Sequence, residues 1–239
     1  MKKILTVIFV VSITLTFFHN HSNAQISTRF SAAPYVGFGY TFDVFTNSDA
    51  KSIYPAISQN FELFKEIAVV GGLRLNRSLA LEVSPSFAFT NITNGTGFNY
   101  TGPDGFSRYY VPQQLSFTMI PINVRAKYYP FSLDPLSMLS NVYLLGGAGP
   151  TYVSENMTNY IYNDNTQSGY QGQIATSNSF WKPNFIFGVG LGSSAKVGYT
   201  FELSYRVISL DGLKDKPQIT SIAKDLNSIN LSAIILFSF

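Results

Sequence analysis

Residues 199–207 read Tyr-Thr-Phe-Glu-Leu-Ser-Tyr-Arg-Val, and large apolar side chains alternate there with small or polar ones. Successive side chains of an extended strand point to opposite faces. Tyr199 and Leu203 therefore share one face, while Glu202 and Arg206 share the other. Such a period of two is typical of a β-strand whose two faces meet different surroundings.

The same alternation recurs along the chain. It is clear in residues 81–90, 120–128 and 230–239, and glycine weakens it in residues 30–40, 67–76, 142–152 and 185–192. Together with residues 199–207, these segments predict eight strands. Glycine at positions 71–72, 146–147 and 188–192 indicates tightly curved strands, or strands that leave interior space for a large neighbour.

The connections between these strands alternate between short and long. Residues 76–78, 131–141 and 193–196 are short or moderate, whereas residues 43–60, 91–113, 154–179 and 209–227 are long. Outer-membrane barrels have short periplasmic turns and longer extracellular loops. The pattern predicts an all-β, eight-stranded antiparallel outer-membrane β-barrel with both chain ends in the periplasm. Whether residues 52–66 form a helix in the first loop stays open.

The N-terminal residues have the layout of a secretory signal. Lys2 and Lys3 precede an apolar stretch, residues 4–18, and Ser22-Asn23-Ala24 offers a small-residue cleavage site without a lipobox cysteine. This arrangement predicts a signal peptide in residues 1–24 and a single barrel domain in residues 25–239.

Composition supports a chain that faces lipid. Charged residues make up only 12% of the sequence and aromatic residues 15%, yet no apolar run after the signal is long enough for a transmembrane helix. A closed barrel dilutes its apolar residues by alternation and suits this composition. Loss of Lys2 and Lys3 leaves 14 basic against 13 acidic residues, and this balance argues against nucleic acid as a partner.

Alternation alone also fits a secreted, lipocalin-like barrel with its apolar face inward. The polar face decides in favour of a lumen, because it holds mostly small residues and few charges. Its charged members are of both signs and are expected to pair across the interior: Arg74, Glu82, Arg125, Lys127, Glu202 and Arg206. For Arg206 the expected partner is Glu202 or Glu82.

The last strand ends on aromatic residues. Phe237 and Phe239 follow alternating apolar positions at the C-terminus, and such strands resemble the signal that the barrel assembly machinery reads. The two residues are therefore predicted to act as an assembly signal.

Several segments carry a family resemblance. Residues 71–83, 120–128 and 142–147 resemble the PorT-like outer-membrane β-barrel family, which belongs with the small OmpA-type and OmpX-type barrels. The resemblance implies an outer-membrane location in a Gram-negative bacterium. It also implies, as one alternative, an accessory role in a protein secretion system.

The mature chain offers little for catalysis. Both histidines, His19 and His21, lie in the signal segment, and the chain has no cysteine. A nucleophile–histidine pair is therefore excluded, and the acid pair Glu82 and Glu202 is expected to be ion-paired instead. We expect no enzyme activity, cofactor or metal, and a lumen too full to conduct solutes.

Function is then expected at the extracellular loops, which combine aromatic and small polar residues. This composition is typical of binding loops and equally of ordinary loops beside an aromatic girdle. Three hypotheses follow: a structural or interaction barrel, a PorT-type secretion accessory, and a soluble ligand-binding barrel. The expected partners are outer-membrane lipid, the assembly machinery and a protein at the loops. The candidate loop contacts are Tyr100, Tyr109, Tyr110, Tyr160, Tyr162 and Tyr170.

Overall fold

A computed structural model describes residues 32–53, 64–93, 95–132, 138–193, 196–210 and 216–239. The predicted signal peptide and residues 54–63 of the first loop lie outside these ranges. The strands are β1 Ala33–Phe45, β2 Phe64–Arg74, β3 Leu79–Thr93, β4 Phe98–Thr101, β5 Ser107–Tyr128, β6 Val142–Tyr162, β7 Tyr170–Gly192, β8 Val197–Val207 and β9 Ser228–Ser238. The short helices are α1 Ser48–Ile53, a 3-10 turn Met138–Asn141, and α2 Ile219–Ile222.

Eight of the strands close into a ring. The hydrogen-bonded order is β3-β2-β1-β9-β8-β7-β6-β5, and an additional β3–β5 pairing joins the two ends. All pairs are antiparallel, and β1 meets β9 from Tyr35↔Ser238 to Phe45↔Ser228. The predicted eight-stranded antiparallel barrel is confirmed; β4 is an extra short strand that pairs only with β5. None of the described helices is long and apolar enough to cross a membrane.

Three strands are much longer than the sequence pattern suggested. β5, β6 and β7 have 22, 21 and 23 residues, whereas the other ring strands have 11 to 15. The interpretation of residues 154–179 as a loop is wrong, because β6 and β7 pair from Ser154↔Ser179 to Tyr162↔Tyr170. The parts of β5, β6 and β7 nearest the long connections, together with β4, extend beyond the rim of the barrel. We call this extension the protruding sheet, and we call the long-connection end of the barrel its upper end. Polar residues on both faces there concealed the strands.

The outward face of the ring is apolar. Side chains on this face, from Val197 to Val207 on β8 for example, alternate with buried ones. On β2 the outward-facing Lys65 lies at the long-connection end of the strand, and the apolar belt begins below it at Ile67. The large exposed members of the belt include Val36, Phe38 and Tyr40 of β1; Ile67, Val69 and Leu73 of β2; Leu81, Val83, Phe87 and Phe89 of β3; Val124 and Tyr128 of β5; Leu144 of β6; Trp181, Phe185, Phe187 and Val189 of β7; Phe201 and Leu203 of β8; and Leu231 and Ile235 of β9.

The interior is filled in two layers. The half near the short turns holds buried charged and small polar residues. The half near the long connections holds an apolar cluster that the alternation of the strands does not predict. It includes Leu115, Phe117 and Met157 of the wall, Ala50 of α1 and Leu226. The chain beside α2 also packs inside, where Asn159 Nδ2 donates to the Pro217 carbonyl at 3.1 Å. These residues therefore plug the lumen at the end near the long connections.

The C-terminal aromatics lie at the seam between β1 and β9. The Phe237 ring stacks on Phe38 with centroids 6.0 Å apart. Phe239 is 78% exposed, and its N–H donates to the Pro34 carbonyl at 3.1 Å. Phe237 thus contributes packing to the closing seam, and a role of both residues in assembly stays a prediction.

Candidate functional site in the lumen and on the protruding sheet

Four buried charges form one closed cluster in the lumen. Arg125 donates to Glu82 at 2.6 Å and to Glu202 at 2.8 Å. Lys127 Nζ lies 2.6 Å from Glu82 and 2.7 Å from Glu202. Two positive and two negative groups therefore neutralise each other, as buried charges require. We call these four residues the lumen quartet.

Strand pairing brings the quartet together. Glu82 of β3 lies directly opposite Arg125 of β5, and Lys127 follows on the same face two residues later. Glu202 projects from β8 across the lumen. The alternating pattern thus predicts this part of the interior correctly at the level of faces.

Two tyrosines hold the glutamates in place. The Tyr35 hydroxyl donates to Glu82 Oε1, and the Tyr143 hydroxyl donates to Glu202 Oε1, both at 2.8 Å. Each ring lies against a glycine on the neighbouring strand: a Cβ added to Gly72 would lie 2.3 Å from Tyr35 Cζ, and one at Gly190 would lie 2.3 Å from Tyr143 Cζ. These glycines therefore leave the space that the two rings occupy.

Arg206 belongs to a second cluster, which corrects its predicted partners. Its guanidinium donates to both oxygens of Glu66, at 2.8 and 2.9 Å, and lies 3.5 Å from Asp43. Glu82 and Glu202 pair with Arg125 and Lys127 instead. Glu66 and Asp43 are absent from the predicted lumen charges because both fall in the segment predicted as the first loop, whereas they lie on β2 and β1.

Arg74 lies apart from both clusters. It is half-buried at the short-turn end, where it donates to the Arg77 carbonyl at 3.0 Å. Its guanidinium lies 4.6 Å from the centre of the Tyr129 ring. Its described contacts are therefore local, and in the described part of the chain no ion pair joins it to a carboxylate across the interior. It covers the lower end of the lumen.

The space between the clusters is small. A cavity of about 10 Å³ separates Arg125 from Arg206, with Ser84, Asn123 and Ser232 among its lining. That volume is close to the minimum for one water molecule. With the ion pairs below and the apolar cluster above, the geometry supports a structural lumen rather than a conduit. No group of residues suited to a metal ion occurs within the described ranges.

The six candidate tyrosines lie on strands rather than loops, which corrects their predicted setting. Tyr100 is on β4, Tyr109 and Tyr110 on β5, Tyr160 and Tyr162 on β6, and Tyr170 on β7. They divide between the two faces of the protruding sheet.

One group faces inward. Tyr110 is buried and stacks on Phe98 at 5.9 Å, and Tyr100 meets the Tyr110 ring edge-on at 5.8 Å. These rings extend the apolar cluster of the lumen. Tyr100 and Tyr110 therefore pack the sheet from within and are poorly placed to contact a partner.

The other group faces outward near the tip. Tyr170 contacts Tyr160 at 5.7 Å and Tyr162 at 5.8 Å, and Tyr109 pairs with Tyr162 across β5 and β6. The β6–β7 turn beside them is well ordered by hydrogen bonds. Side-chain donation from Thr166 and Ser168 lowers the pKa of Asp164 to about 2. This carboxylate therefore stays ionised at any ordinary pH.

The protruding sheet also has an open edge. β8 pairs with β7 only from Phe185 to Gly192, so residues 170–184 have a partner strand on one side alone within the described ranges. On the other side Lys216 Nζ donates to the Ser177 carbonyl at 2.8 Å. We call this side of residues 170–184 the open edge of β7.

A double-mutant cycle tests the corrected partner of Arg206. Arg206→Ala should lower the free energy of unfolding by about 3–5 kcal/mol, because Glu66 and Asp43 lose their counter-ion. Adding Glu66→Ala should recover part of this loss, with a coupling of about 1–3 kcal/mol in urea unfolding. Glu202 lies four residues away on the same strand, roughly 13 Å. Its cycle with Arg206 should be additive to about 0.5 kcal/mol, and equal coupling in both cycles would contradict the assignment.

A pair of glycine variants tests the tyrosine supports. Gly190→Ala should lower the free energy of unfolding by about 1–3 kcal/mol, since the new methyl group displaces the Tyr143 ring and its hydrogen bond to Glu202. Gly146→Ala is the control, because an added Cβ there meets nothing within 4 Å. We expect it to be neutral. Similar losses in both variants would refute the steric explanation.

Comparisons with known proteins identify similar solved structures. No protein-family model and no curated protein sequence matches the chain. Over 88% of the chain and 100% of each neighbour, it is similar to Ail, the attachment invasion locus protein of Yersinia pestis, at 8% identity and a TM-score of 0.48, and to Neisserial surface protein A at 14% and 0.45. A major outer membrane protein from Thermus thermophilus matches with the same coverage at 13% and 0.43. These scores lie below 0.5, so we base no conclusion about location or function on them.

Proposed function

We propose that the chain is a non-enzymatic outer-membrane protein of a Gram-negative bacterium that binds a protein partner outside the cell through its protruding sheet. The short turns then lie in the periplasm. The predicted signal peptide supports export, and the absence of histidine and cysteine after His21 leaves no usual nucleophile–base pair.

The apolar belt supports the membrane placement. β8 crosses it in 11 residues, which at the tilt of barrel strands span about 25 Å, the height of an outer-membrane apolar band. A soluble lipocalin-like barrel needs the opposite arrangement, with apolar residues inside. Here Phe38 and Phe185 are more than half exposed, while Arg125 and Glu202 are buried.

The open edge of β7 is the observation that carries the binding function. Unpaired backbone groups on an edge strand are a template for adding another strand. Edge strands are usually protected by charges or proline. Residues 173–181 contain neither, and the charge described against this edge is that of Lys216, which a partner strand would displace from the Ser177 carbonyl. Only Lys182 and Pro183 follow, at the base of the sheet. An extended segment of a partner protein therefore fits this edge.

The outward tyrosines lie beside the same edge. Tyr160, Tyr162 and Tyr170 form a rigid aromatic group next to residues 170–173. Such rings provide contact area at low entropic cost. A component of a secretion system is one class of protein that this edge would accept, in agreement with the PorT-like resemblance.

Arginine substitution tests the membrane placement. Leu203→Arg, at the middle of the belt on β8, should lower the free energy of unfolding in lipid vesicles by about 2–4 kcal/mol. Ala175→Arg, on the same outward face but above the rim, should change it by less than about 1 kcal/mol. Urea titrations followed by Trp181 fluorescence give both values. Equal effects, or recovery of the protein as a soluble species, would contradict the placement.

Site-specific cross-linking tests the binding edge. The chain has no cysteine, so Ala175→Cys can carry a single photo-cross-linker on whole cells. We expect one protein adduct of defined mass. Phe106→Cys, which is equally accessible in the β4–β5 turn, is the control and should give none.

A proline variant then separates strand addition from simple proximity. Ser177 directs its carbonyl away from β6 toward Lys216, and Gln173, four residues earlier, faces the same way. Gln173→Pro should therefore abolish the adduct without removing a β6 hydrogen bond, whereas Gln173→Thr should preserve it. Persistence of the adduct in the proline variant would contradict the proposal. Heat-modifiable gel mobility checks that each variant is folded.

A further inference from the structure

The lower part of the protruding sheet has a polar outward face. Strand pairing aligns Asn91, Ser116, Asn156 and Ser177 in one row across β3, β5, β6 and β7. Thr93, Gln114, Thr158 and Ala175 form the next row above it. We call these two rows the polar strip.

The polar strip contains an open groove of about 490 Å³. No described residue of its lining is charged. Its outward polar side chains carry hydroxyls and amides and include Asn91, Gln114, Ser116, Asn156, Thr158 and Ser177. Ser177 Oγ donates to Asn156 Oδ1 at 2.6 Å, and Asn156 Nδ2 donates weakly to Ser116 Oγ at 3.4 Å. These mutual hydrogen bonds hold the groove in shape while leaving its polar surface accessible.

Aromatic rings lie below and above the strip. Tyr152 and Trp181 lie two rows below its lower row, with ring centroids 5.3 Å apart. Tyr160 and Tyr170 lie above it, 5.7 Å apart. Each ring pairs an apolar body with a polar group.

This combination matches the chemistry of an uncharged sugar. Sugar hydroxyls both donate and accept hydrogen bonds, as do the Ser, Thr, Asn and Gln side chains of the strip. The apolar faces of a sugar ring can pack on the flanking aromatic rings. A phosphate would need a cation or several convergent donors, and the described lining offers no cation.

The position of the strip indicates where the sugar comes from. It lies above the apolar belt. Phe89 of the belt is in the row next to its base, together with Thr118, Ser154 and Ser179, and the row below that one holds Ile120, Tyr152 and Trp181. With the belt in the hydrocarbon layer, the strip lies at the level of lipid headgroups. A shallow groove binds a dissolved sugar weakly, but a sugar attached to a lipid in the same leaflet is held at high effective concentration.

We propose that the polar strip binds the uncharged saccharide headgroup of a glycolipid in the same membrane leaflet. The proposal depends on the membrane placement argued above. The strip adjoins the open edge of β7 at Ala175 and Ser177, but its other members lie on β3, β5 and β6. It adds a lipid-selective site to a barrel whose belt is otherwise unselective.

Trp181 provides a readout, because it is the chain's only tryptophan and lies two rows below the strip, on the side of the membrane belt. The full-length barrel is reconstituted in phosphatidylcholine nanodiscs containing increasing fractions of an uncharged dihexosyl diacylglycerol. We expect a saturable change in Trp181 emission, absent with phosphatidylcholine alone and with anionic phosphatidylglycerol. The variant Gln114→Ala/Asn156→Ala should raise the half-saturating fraction at least tenfold. Thr101→Ala, a polar-to-alanine change on β4, should leave it within twofold.

Each other outcome overturns the proposal. No saturable response, an equal response to phosphatidylglycerol, or a response unaffected by the double variant would remove the glycolipid site. An equally strong response to the free disaccharide would assign the groove to a soluble sugar. A protein adduct on cells from Asn91→Cys, at the end of the strip farthest from the open edge of β7, would assign it to a polypeptide. Heat-modifiable mobility in the nanodiscs is measured separately, so failure of membrane insertion is distinguished from failure of sugar binding.

Discussion

Closure of the strand ring is the constraint on which the rest of the structure depends. Every ring strand has a hydrogen-bonded neighbour on both sides because β1 pairs with β9 and β3 pairs with β5. A closed ring can place its apolar side chains outward without exposing unpaired backbone groups to an apolar environment. The alternation of each strand then sends every second side chain into a narrow interior, where its polar groups must find partners.

Part of the interior meets this requirement by local neutrality. The lumen quartet balances two cations with two carboxylates, and Tyr35 and Tyr143 provide further donors at nearly equivalent places on opposite walls. Gly72 and Gly190 are part of this arrangement, since a side chain at either position would occupy the space of a tyrosine ring. The glycines that weaken the alternation in the sequence are thus explained by what lies across the strand. Buried pairing of this kind adds little net stability over an apolar interior, but the loss of one partner is costly because it leaves a buried charge uncompensated.

The sequence predicted most of this architecture and part of the candidate sites. Alternation from Tyr199 to Val207 identifies both faces of β8, and the same pattern assigns Glu82, Arg125, Lys127 and Glu202 to the lumen. Glu66 and Asp43 are not predicted as lumen charges because they lie near the long-connection ends of β2 and β1, and the alternation of one strand does not show where that strand ends. The pairing of Arg206 with Glu66 depends on which strands are neighbours and at what register, information that a single strand's periodicity does not contain.

The upper parts of β6 and β7 explain why the sequence pattern predicts loops for Tyr160, Tyr162 and Tyr170. Above the apolar belt, a strand needs no apolar outward face, and residues such as Asn156, Thr158 and Ser177 remove the contrast by which a strand is recognised. The same loss of contrast creates the features from which we infer binding. An outward face released from contact with hydrocarbon can present hydroxyls and amides to sugars, and an edge that is no longer covered by β8 can present its backbone to another strand. The two proposed sites therefore arise from one cause, the extension of three strands beyond the height that the belt requires.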